Sequence, residues 1–273
     1  MGGKDAPLLL ITDKNGVRTL MFNRPAQLNG WSPAMMERIE IEMRQAGNDD
    51  NVKALIVTGN GRYYSAGADF AGSIKPAKPS SIKLMAEKKN EQLFNNFIDF
   101  PKPLIAAING PALGASVTSA RLCDVIVTSE NASFVTPFNK IGVVPEGCSS
   151  RNFPKIFGEQ GAKEMFDGKV LTPEEALRVG FVEYVVPPGK LLEKAQEVAE
   201  EWIAQGRQRT CIEQGTVDEL RKINAIESKA LGNALLDYPF LDHMTQFTYQ
   251  KSKYAAFVIF WIARTTRPLW SNL

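Results

Sequence analysis

The chain opens with two short runs of apolar and β-branched residues, at positions 8–12 and 17–22. The residues between the runs end in Asn15-Gly16, a pair that favours the tight turn of a β-hairpin. Ser32-Pro33 then supplies a helix N-cap with proline in the first helical position, and apolar residues recur after it at helical spacing. The N-terminal region therefore predicts a hairpin followed by an amphipathic helix.

Further strands and helices alternate along the next part of the chain. Buried strands are predicted at residues 53–58, 104–108 and 124–129, and helical faces at residues 93–98 and 113–122. This alternation predicts an α/β core with crossover connections between parallel strands.

Helices dominate after residue 172, and the last seventy or so residues are predicted to be entirely helical. One helix presents an apolar stripe of Leu192, Ala195, Val198, Ala199 and Trp202. The tail is rich in large apolar residues, which predicts either contact with another subunit or folding back over the active site. Its members are Phe247, Tyr254, Phe257, Val258, Phe260 and Trp261.

Composition narrows the possible classes of protein. Of 273 residues, 44% are apolar and 23% charged, values typical of a globular protein and not of a disordered or collagen-like chain. The 32 basic and 30 acidic residues are interleaved and leave a net charge of +2, so nucleic acid is not expected as a ligand. No apolar run approaches the ~18 residues that a membrane span needs.

Cysteine and histidine content limits the available chemistry. Cys123, Cys148 and Cys211 are widely spaced, odd in number and form no C-x-x-C pair. This pattern favours a reducing compartment and argues against a zinc site, so no metal is expected. The single histidine, His243, lies in a late helical segment where a structural or surface role is expected, which disfavours Ser-His-Asp and Cys-His mechanisms.

Two glycine-rich junctions after predicted strands could present backbone to a ligand. They are GRYYSAGADFAG at residues 61–72 and INGPALGAS at residues 108–116. Their small residues let a ligand approach main-chain N–H groups, and the second junction places such groups at a helix N-terminus. Two donors that converge on one oxygen would form an oxyanion hole. Taken singly, however, either loop is also compatible with an ordinary strand-helix turn.

Four ordered motifs together resemble the crotonase (enoyl-CoA hydratase/isomerase) superfamily. They are SAGAD at 65–69, NGPALG at 109–114, CD at 123–124 and TPFNKIGVVPEGCSS at 136–150. The resemblance continues through FPKIFG at 153–158 and covers about two-thirds of the chain. Within the superfamily, TGNGRYYSAG, FIDFPKPLIA and PEGCSS are similar to the peroxisomal 3,2-trans-enoyl-CoA isomerases.

This resemblance implies an α/β fold built as a spiral of ββα units, with a helical C-terminal region that packs between subunits. Residues 1–200 would form the core with the CoA site, and residues 201–273 the helical region for contacts in a trimer or a dimer of trimers. The implied substrate is an acyl-CoA thioester. Coenzyme A is part of that substrate, so no separate cofactor is expected, and neither nucleic acid nor a membrane span is implied.

The resemblance also implies site residues by position. The oxyanion donors are the backbone N–H groups of Ala68 and Ala115. CoA-binding residues are Ala26, Gln27, Leu28, Ser65, Ala66, Gly67, Asp69, Phe70 and Gly114. The acyl pocket is formed by Thr118, Pro137, Phe138 and Val143. Gly30 departs from the alanine that the family usually has after the position of Asn29.

The identity of the acidic residues separates hydration from isomerisation. Hydratases of this superfamily hold water between two carboxylates, whose positions here are Thr118 and Phe138, and neither can act as a base. Glu146, in Val-Pro-Glu-Gly, resembles the isomerase base. A wall of Phe138, Val143 and Val144 is expected to raise the pKa of Glu146 by desolvation and to exclude water.

The predicted function is therefore an isomerase that shifts the double bond of 3-enoyl-CoA to trans-2-enoyl-CoA during β-oxidation of unsaturated fatty acids. Another crotonase reaction, such as hydration or a secondary-metabolite isomerisation, and a non-catalytic acyl-CoA-binding homologue remain alternatives. The C-terminal tripeptide Ser271-Asn272-Leu273 differs by one residue from the peroxisomal signal Ser-Lys-Leu. It predicts a peroxisomal location, with the mitochondrion or the cytoplasm as alternatives.

Overall fold

The structure, a computed structural model, describes residues 6–210 and 215–270. The predictions for Cys211 and for the tripeptide 271–273 lie outside these residues. The strands are β1 (Leu9–Lys14), β2 (Val17–Phe22), β3 (Ala54–Gly59), β4 (Leu104–Ile108), β5 (Ala112–Leu113), β6 (Val125–Ser129), β7 (Phe134–Val135) and β8 (Tyr184–Val186). The helices are α1 (Pro33–Asn48), α2 (Phe70–Ser73), α3 (Pro79–Ile98), α4 (Ala115–Ala120), α5 (Phe138–Ile141), α6 (Ser149–Phe166), α7 (Pro173–Arg178), α8 (Leu191–Ala204), α9 (Val217–Ala234), α10 (Tyr238–Gln250) and α11 (Tyr254–Thr266).

The predicted N-terminal hairpin and first helix are confirmed. β1 pairs antiparallel with β2, and Asn15 and Gly16 make the turn with φ angles of 52° and 78°. Both residues are in the left-handed region that the tight hairpin turn requires, which is why Asn-Gly suits this position. Ser32 caps α1, since its hydroxyl oxygen accepts the N–H of Met35 at 3.3 Å.

The main sheet has the strand order β1-β2-β3-β4-β6-β8, and every pair after the hairpin is parallel. All residues of β3, β4 and β6 are buried, as expected for strands covered on both faces. Successive side chains point to opposite faces, so Leu55 and Val57 join one apolar cluster whereas Ile56 joins the other, which α8 covers. The predicted α/β core is present.

A second, short layer lies beside the main sheet. It consists of β5 paired with β7, extended by parallel bridges between Ser65 and Ala112 and between Trp31 and Ala68. Successive turns of the chain therefore contribute one long strand to the main sheet and one short extended segment to this layer, followed by a helix. This is the ββα repeat that the family resemblance implies, and the short layer carries both glycine-rich junctions.

The C-terminal region is helical, as predicted, through α9, α10 and α11. The apolar stripe of α8 is buried as predicted at Ala195, Val198, Ala199 and Trp202. Its first member was wrong, because Leu191 is buried and Leu192 is 42% exposed. A short 3-10 turn at Pro188–Lys190 directly precedes α8. None of the helices in residues 6–210 and 215–270 is both long and apolar enough to cross a membrane.

Candidate active site

The two glycine-rich junctions lie against each other in the short layer. The carbonyl oxygen of Ser65 accepts the N–H of Leu113 and the hydroxyl of Ser116, each at 3.0 Å. Gly67 has a φ of 72°, and a β-carbon built on it would collide with the carbonyl oxygen of Leu113 and lie 3.4 Å from the nitrogen of Ala115. Only glycine permits this approach. The first loop is thereby held beside the N-terminus of α4.

Two backbone N–H groups at this contact have no acceptor in the part of the chain that the structure describes. The N–H of Trp31 donates to Gly67 at 2.8 Å and the N–H of Asp69 donates to Trp31 at 3.1 Å, which leaves the intervening N–H of Ala68 unused. Ala115 is the first residue of α4, where an N–H has no acceptor within the helix. Among the hydrogen bonds of the described residues, neither N–H has an acceptor. Both are available to bind an oxygen of a ligand.

Glu146 is a buried carboxyl group on the turn between α5 and α6. It is 7% exposed, and no hydrogen-bond donor among the described residues contacts its carboxyl oxygens. Burial raises the pKa of Glu146 to about 8, and the negative charge of Glu227 adds to this effect. A carboxyl group with this pKa can take up and release a proton near neutral pH.

The turn that carries Glu146 packs directly on α4. A β-carbon built on Gly147 would lie 2.5 Å from Cε1 of Phe94 and 2.9 Å from Oγ1 of Thr118. The hydroxyl of Thr118 in turn donates to the carbonyl of Ala115 at 3.2 Å. Contacts that run from Gly147 through Thr118 to Ala115 thus connect the turn of Glu146 with the pair of free N–H groups.

The remaining residues of the predicted acyl pocket occupy apolar surroundings. Phe138 is fully buried, and its ring edge would lie 3.8 Å from a β-carbon on Gly114, next to the free N–H of Ala115. Val143 and Phe138 join an apolar cluster with side chains of α9, α10 and α11. Pro137 packs against Gly168.

A cavity of about 580 Å³ lies over the first loop. Of the predicted CoA-binding residues, Ser65 and Gly114 do not line it: Ser65 is fully buried, with its hydroxyl held between the carbonyl of Asn29 and the N–H of Gly67. Asp69 lines it and also caps α2 by accepting the N–H of Gly72. The other predicted residues in its wall are Ala26, Gln27, Leu28, Ala66, Gly67 and Phe70, and the predicted oxyanion residue Ala68 is with them.

The opposite wall of this cavity comes from parts of the chain that motifs did not identify. His243, Met244 and Phe247 of α10 and Lys253 in the following turn all face it. Burial lowers the pKa of His243, which favours the neutral ring. In the sequence, this wall is indicated by the aromatic tail, which is expected either to contact another subunit or to fold back over the active site.

Glu227 of α9 is the main residue near the site that the sequence did not indicate. It is 5% exposed, and its carboxylate accepts the N–H of Cys148 at 2.6 Å and that of Ser150 at 2.9 Å. These amides belong to the turn that follows Glu146. A lone glutamate in a helix, 81 positions from Glu146, carries no local pattern that could have revealed this contact.

Comparison with known proteins identifies the family. The family model described as enoyl-CoA hydratase/isomerase matches residues 12–239. The chain belongs to the enoyl-CoA hydratase/isomerase family. Enoyl-CoA delta isomerase 2 of Homo sapiens is 36% identical over 264 residues, which cover 90% of this chain and 64% of that protein. Enoyl-CoA delta isomerase 3, peroxisomal, of Mus musculus is 40% identical over 186 residues, 66% of this chain and 57% of that protein.

The chain thus spans less than two thirds of the length of these two relatives. A solved structure, the enoyl-CoA hydratase/isomerase from Pseudoalteromonas atlantica T6c, has a TM-score of 0.76 and 25% sequence identity, and covers 89% of this chain and 98% of that chain. This similarity confirms the crotonase fold expected from the motifs.

Proposed function

We propose that this member of the enoyl-CoA hydratase/isomerase family moves the double bond of a 3-enoyl-CoA thioester to the trans-2 position. The observation that carries the proposal is Glu146, a buried carboxyl group with a pKa of about 8 and no hydrogen-bond partner among the described residues. Two relatives named enoyl-CoA delta isomerase support it.

The first step removes a proton from C2 of the thioester. Ionised Glu146 takes this proton, and the electron pair moves into the thioester carbonyl to give a dienolate whose oxygen bears the negative charge. The N–H groups of Ala68 and Ala115 would donate to that oxygen. An oxyanion-hole donor of this kind stabilises the transition state by about 3–4 kcal/mol.

The second step returns the proton at C4. Neutral Glu146 gives up the proton, the electrons of the dienolate shift, and the double bond settles between C2 and C3. The same carboxyl group serves as base and acid, so no second acid is needed. The pKa near 8 suits both halves of the cycle, and buried Phe138 and Val143 would keep water from the dienolate. The proposal requires no cofactor, since coenzyme A is part of the substrate.

Hydration is the competing reaction, and the packing of the site disfavours it. A hydratase needs a second carboxylate to help hold the attacking water. Phe138 is apolar, and Thr118 carries a hydroxyl instead of a carboxylate at a fully buried position. Glu227, whose charge acts on Glu146, already accepts two backbone N–H groups.

The test is a conjugation assay with trans-3-hexenoyl-CoA, followed by the absorbance of the conjugated 2-enoyl thioester. We expect rapid conversion by the wild-type protein and a rate about 10²–10⁴-fold lower in Glu146→Gln. Glu42→Gln is the matched control, because Glu42 is also a buried carboxylate but pairs with Arg38 within α1. Its rate should stay within about twofold of wild type.

Each other outcome has a definite meaning. An undiminished rate in folded Glu146→Gln would remove Glu146 as the base. Formation of a 3-hydroxyacyl-CoA from a 2-enoyl-CoA, without isomerisation, would establish a hydratase. Binding of CoA esters with no conversion of either substrate would establish a non-catalytic homologue.

We further propose a peroxisomal location. The support is the mouse relative named peroxisomal. A fluorescent protein fused ahead of the chain should co-localise with a peroxisomal marker. Co-localisation with a mitochondrial marker, or dispersal of the intact fusion, would contradict the proposal.

A further inference from the structure

The position of α9 is fixed against α3 by buried polar contacts. Asn224 donates to the carbonyl of Glu91 at 2.8 Å and to the side chain of Asn95 at 2.9 Å. Ser228, one turn further, accepts from Asn90 at 3.0 Å. Buried hydrogen bonds of this kind specify one register between two helices, because a slipped register would leave the polar groups unpaired.

Glu227 lies between these two anchoring residues and reaches the turn after Glu146. Its two carboxylate oxygens accept separate N–H groups, from Cys148 and Ser150. Cys148 is the N-cap of α6 but offers no side-chain cap hydrogen bond, so a side chain from another helix satisfies these N–H groups instead.

The turn held by Glu227 has an unfavourable backbone conformation. Gly147 and Cys148 both have a φ of 62°, and Cys148 is not a glycine. A side chain with a β-carbon adopts this left-handed conformation only when its surroundings hold it there. The two hydrogen bonds to Glu227 keep the turn in this conformation directly next to Glu146.

We propose that Glu227 is a positioning residue for Glu146: by binding the N–H groups of Cys148 and Ser150, it holds the turn in the conformation that fixes the Glu146 carboxyl group next to α4. This inference rests on the proposed function for its effect on turnover. Its effect on Glu146 itself is independent of which reaction the site performs.

Glu227 also places a negative charge near Glu146, and this charge contributes to the raised pKa of Glu146. The other ionisable groups around this junction are few. Glu87 of α3 packs against Gly232 of α9, and Arg151 of α6 lies 3.7 Å from Glu219 of α9. Neutralising Glu227 should therefore lower the pKa of Glu146 while it loosens the turn.

The experiment compares wild type with Glu227→Gln in two measurements. In the isomerase assay, we expect kcat to fall about 10–100-fold with KM changed less than about threefold, because the base is misplaced and the thioester site is intact. In Glu146→Gln, adding Glu227→Gln should change the residual rate less than about twofold, since both substitutions act through the carboxyl group of Glu146.

The second measurement is the ¹³C titration of the Glu146 carboxyl carbon, assigned by its absence in Glu146→Gln. Its midpoint should move below the value of about 8 expected for wild type.

Glu219→Gln is the matched control, because Glu219 caps α9 itself and lies near Arg151 of α6, but does not bind the N–H of Cys148 or Ser150. It should leave kcat and the Glu146 midpoint unchanged even if it lowers stability. If Glu227→Gln does not fold, Glu227→Asp replaces it: the shorter carboxylate keeps the charge but cannot reach both N–H groups, so kcat should still fall.

The isomerase function and the positioning role of Glu227 can be disproved independently. A wild-type protein without isomerase activity would end the proposed function, while the titration would still decide whether Glu227 acts on Glu146. A folded Glu227→Gln variant with an unchanged Glu146 midpoint and kcat within twofold of wild type would overturn the positioning role.

Discussion

Inside this protein at neutral pH, the carboxyl group of Glu146 is more stable protonated than ionised. Its pKa in the folded protein is about 8, against an ordinary value of 4.5, because burial disfavours the charge. At a pH between these two values, the folded state binds the proton more tightly than the unfolded state does. This tighter binding makes its full contribution to the free energy of unfolding below about pH 4.5, and the contribution is lost as the pH rises through about 8.

Glu146→Gln should therefore stabilise the protein at high pH. We expect its free energy of unfolding to exceed that of wild type by an amount on the order of a few kcal/mol at pH 9, and the difference to shrink towards pH 5. Urea denaturation at pH 5, 7 and 9 measures this. Exposed Glu159 of α6 provides the control, since Glu159→Gln should show no such trend. A difference for Glu146→Gln that is equal at all three pH values would contradict the assigned pKa.

At the scale of elements, α10 and the turn after it form one wall of the cavity over the first loop. The opposite wall contains Ala26, Gln27 and Leu28, which the sequence assigned to the CoA end of the substrate. Lys253 is exposed and lies at this cavity, so it is placed to attract the phosphates of coenzyme A.

Lys253→Glu should weaken binding of the CoA ester without affecting the chemical step. We expect KM to rise about tenfold with kcat changed less than about twofold, and the rise to diminish at high salt. Lys251→Glu is the control, because Lys251 is also exposed in the same segment but does not line the cavity. Equal effects of the two substitutions would show that only overall charge matters.

Local patterns predicted most of these elements but not how distant ones meet. The strand at residues 104–108 was predicted with the bounds it has, because a continuous apolar run between Pro103 and Asn109 leaves little freedom. In the stripe of α8 only the first member was wrong, because the sequence offers two adjacent leucines, Leu191 and Leu192, and the buried one is Leu191. Glu227 was missed because its role depends on the packing of α9 beside α6, which no nearby residue encodes.

At the scale of the molecule, the C-terminal helices share a core with the site. Phe138 and Val143 pack in one cluster with Leu231, Phe240 and Phe260 of α9, α10 and α11. The boundary expected at residue 200 falls inside α8, and this apolar cluster joins residues from both sides of it. Substitutions in α10 or α11 can therefore change the packing around Phe138 and Val143, the predicted acyl pocket, even when they lie far from Glu146 in sequence.

The outer face of α11 remains apolar, and this supports the predicted assembly. Val258, Trp261 and Ile262 follow at helical spacing and are each about half exposed, at 48%, 50% and 48%. We predict a particle of three or six copies of the 30.2 kDa chain by size-exclusion chromatography with light scattering. Trp261→Glu should shift the mass towards one copy, whereas Lys251→Glu should not. A monomeric wild-type protein would contradict the prediction.

The contact between Thr118 and Gly147 also bears on how the two reactions of this family could interchange during evolution. Because Thr118 is fully buried, a chain that first acquired the longer glutamate side chain at position 118 would overpack this position, and would lose stability before it gained any ability to add water. The neighbours would have to move before the new carboxylate could be tolerated. A change towards hydration at this site would therefore require coupled substitutions, and the order in which they arise would decide whether the intermediates survive.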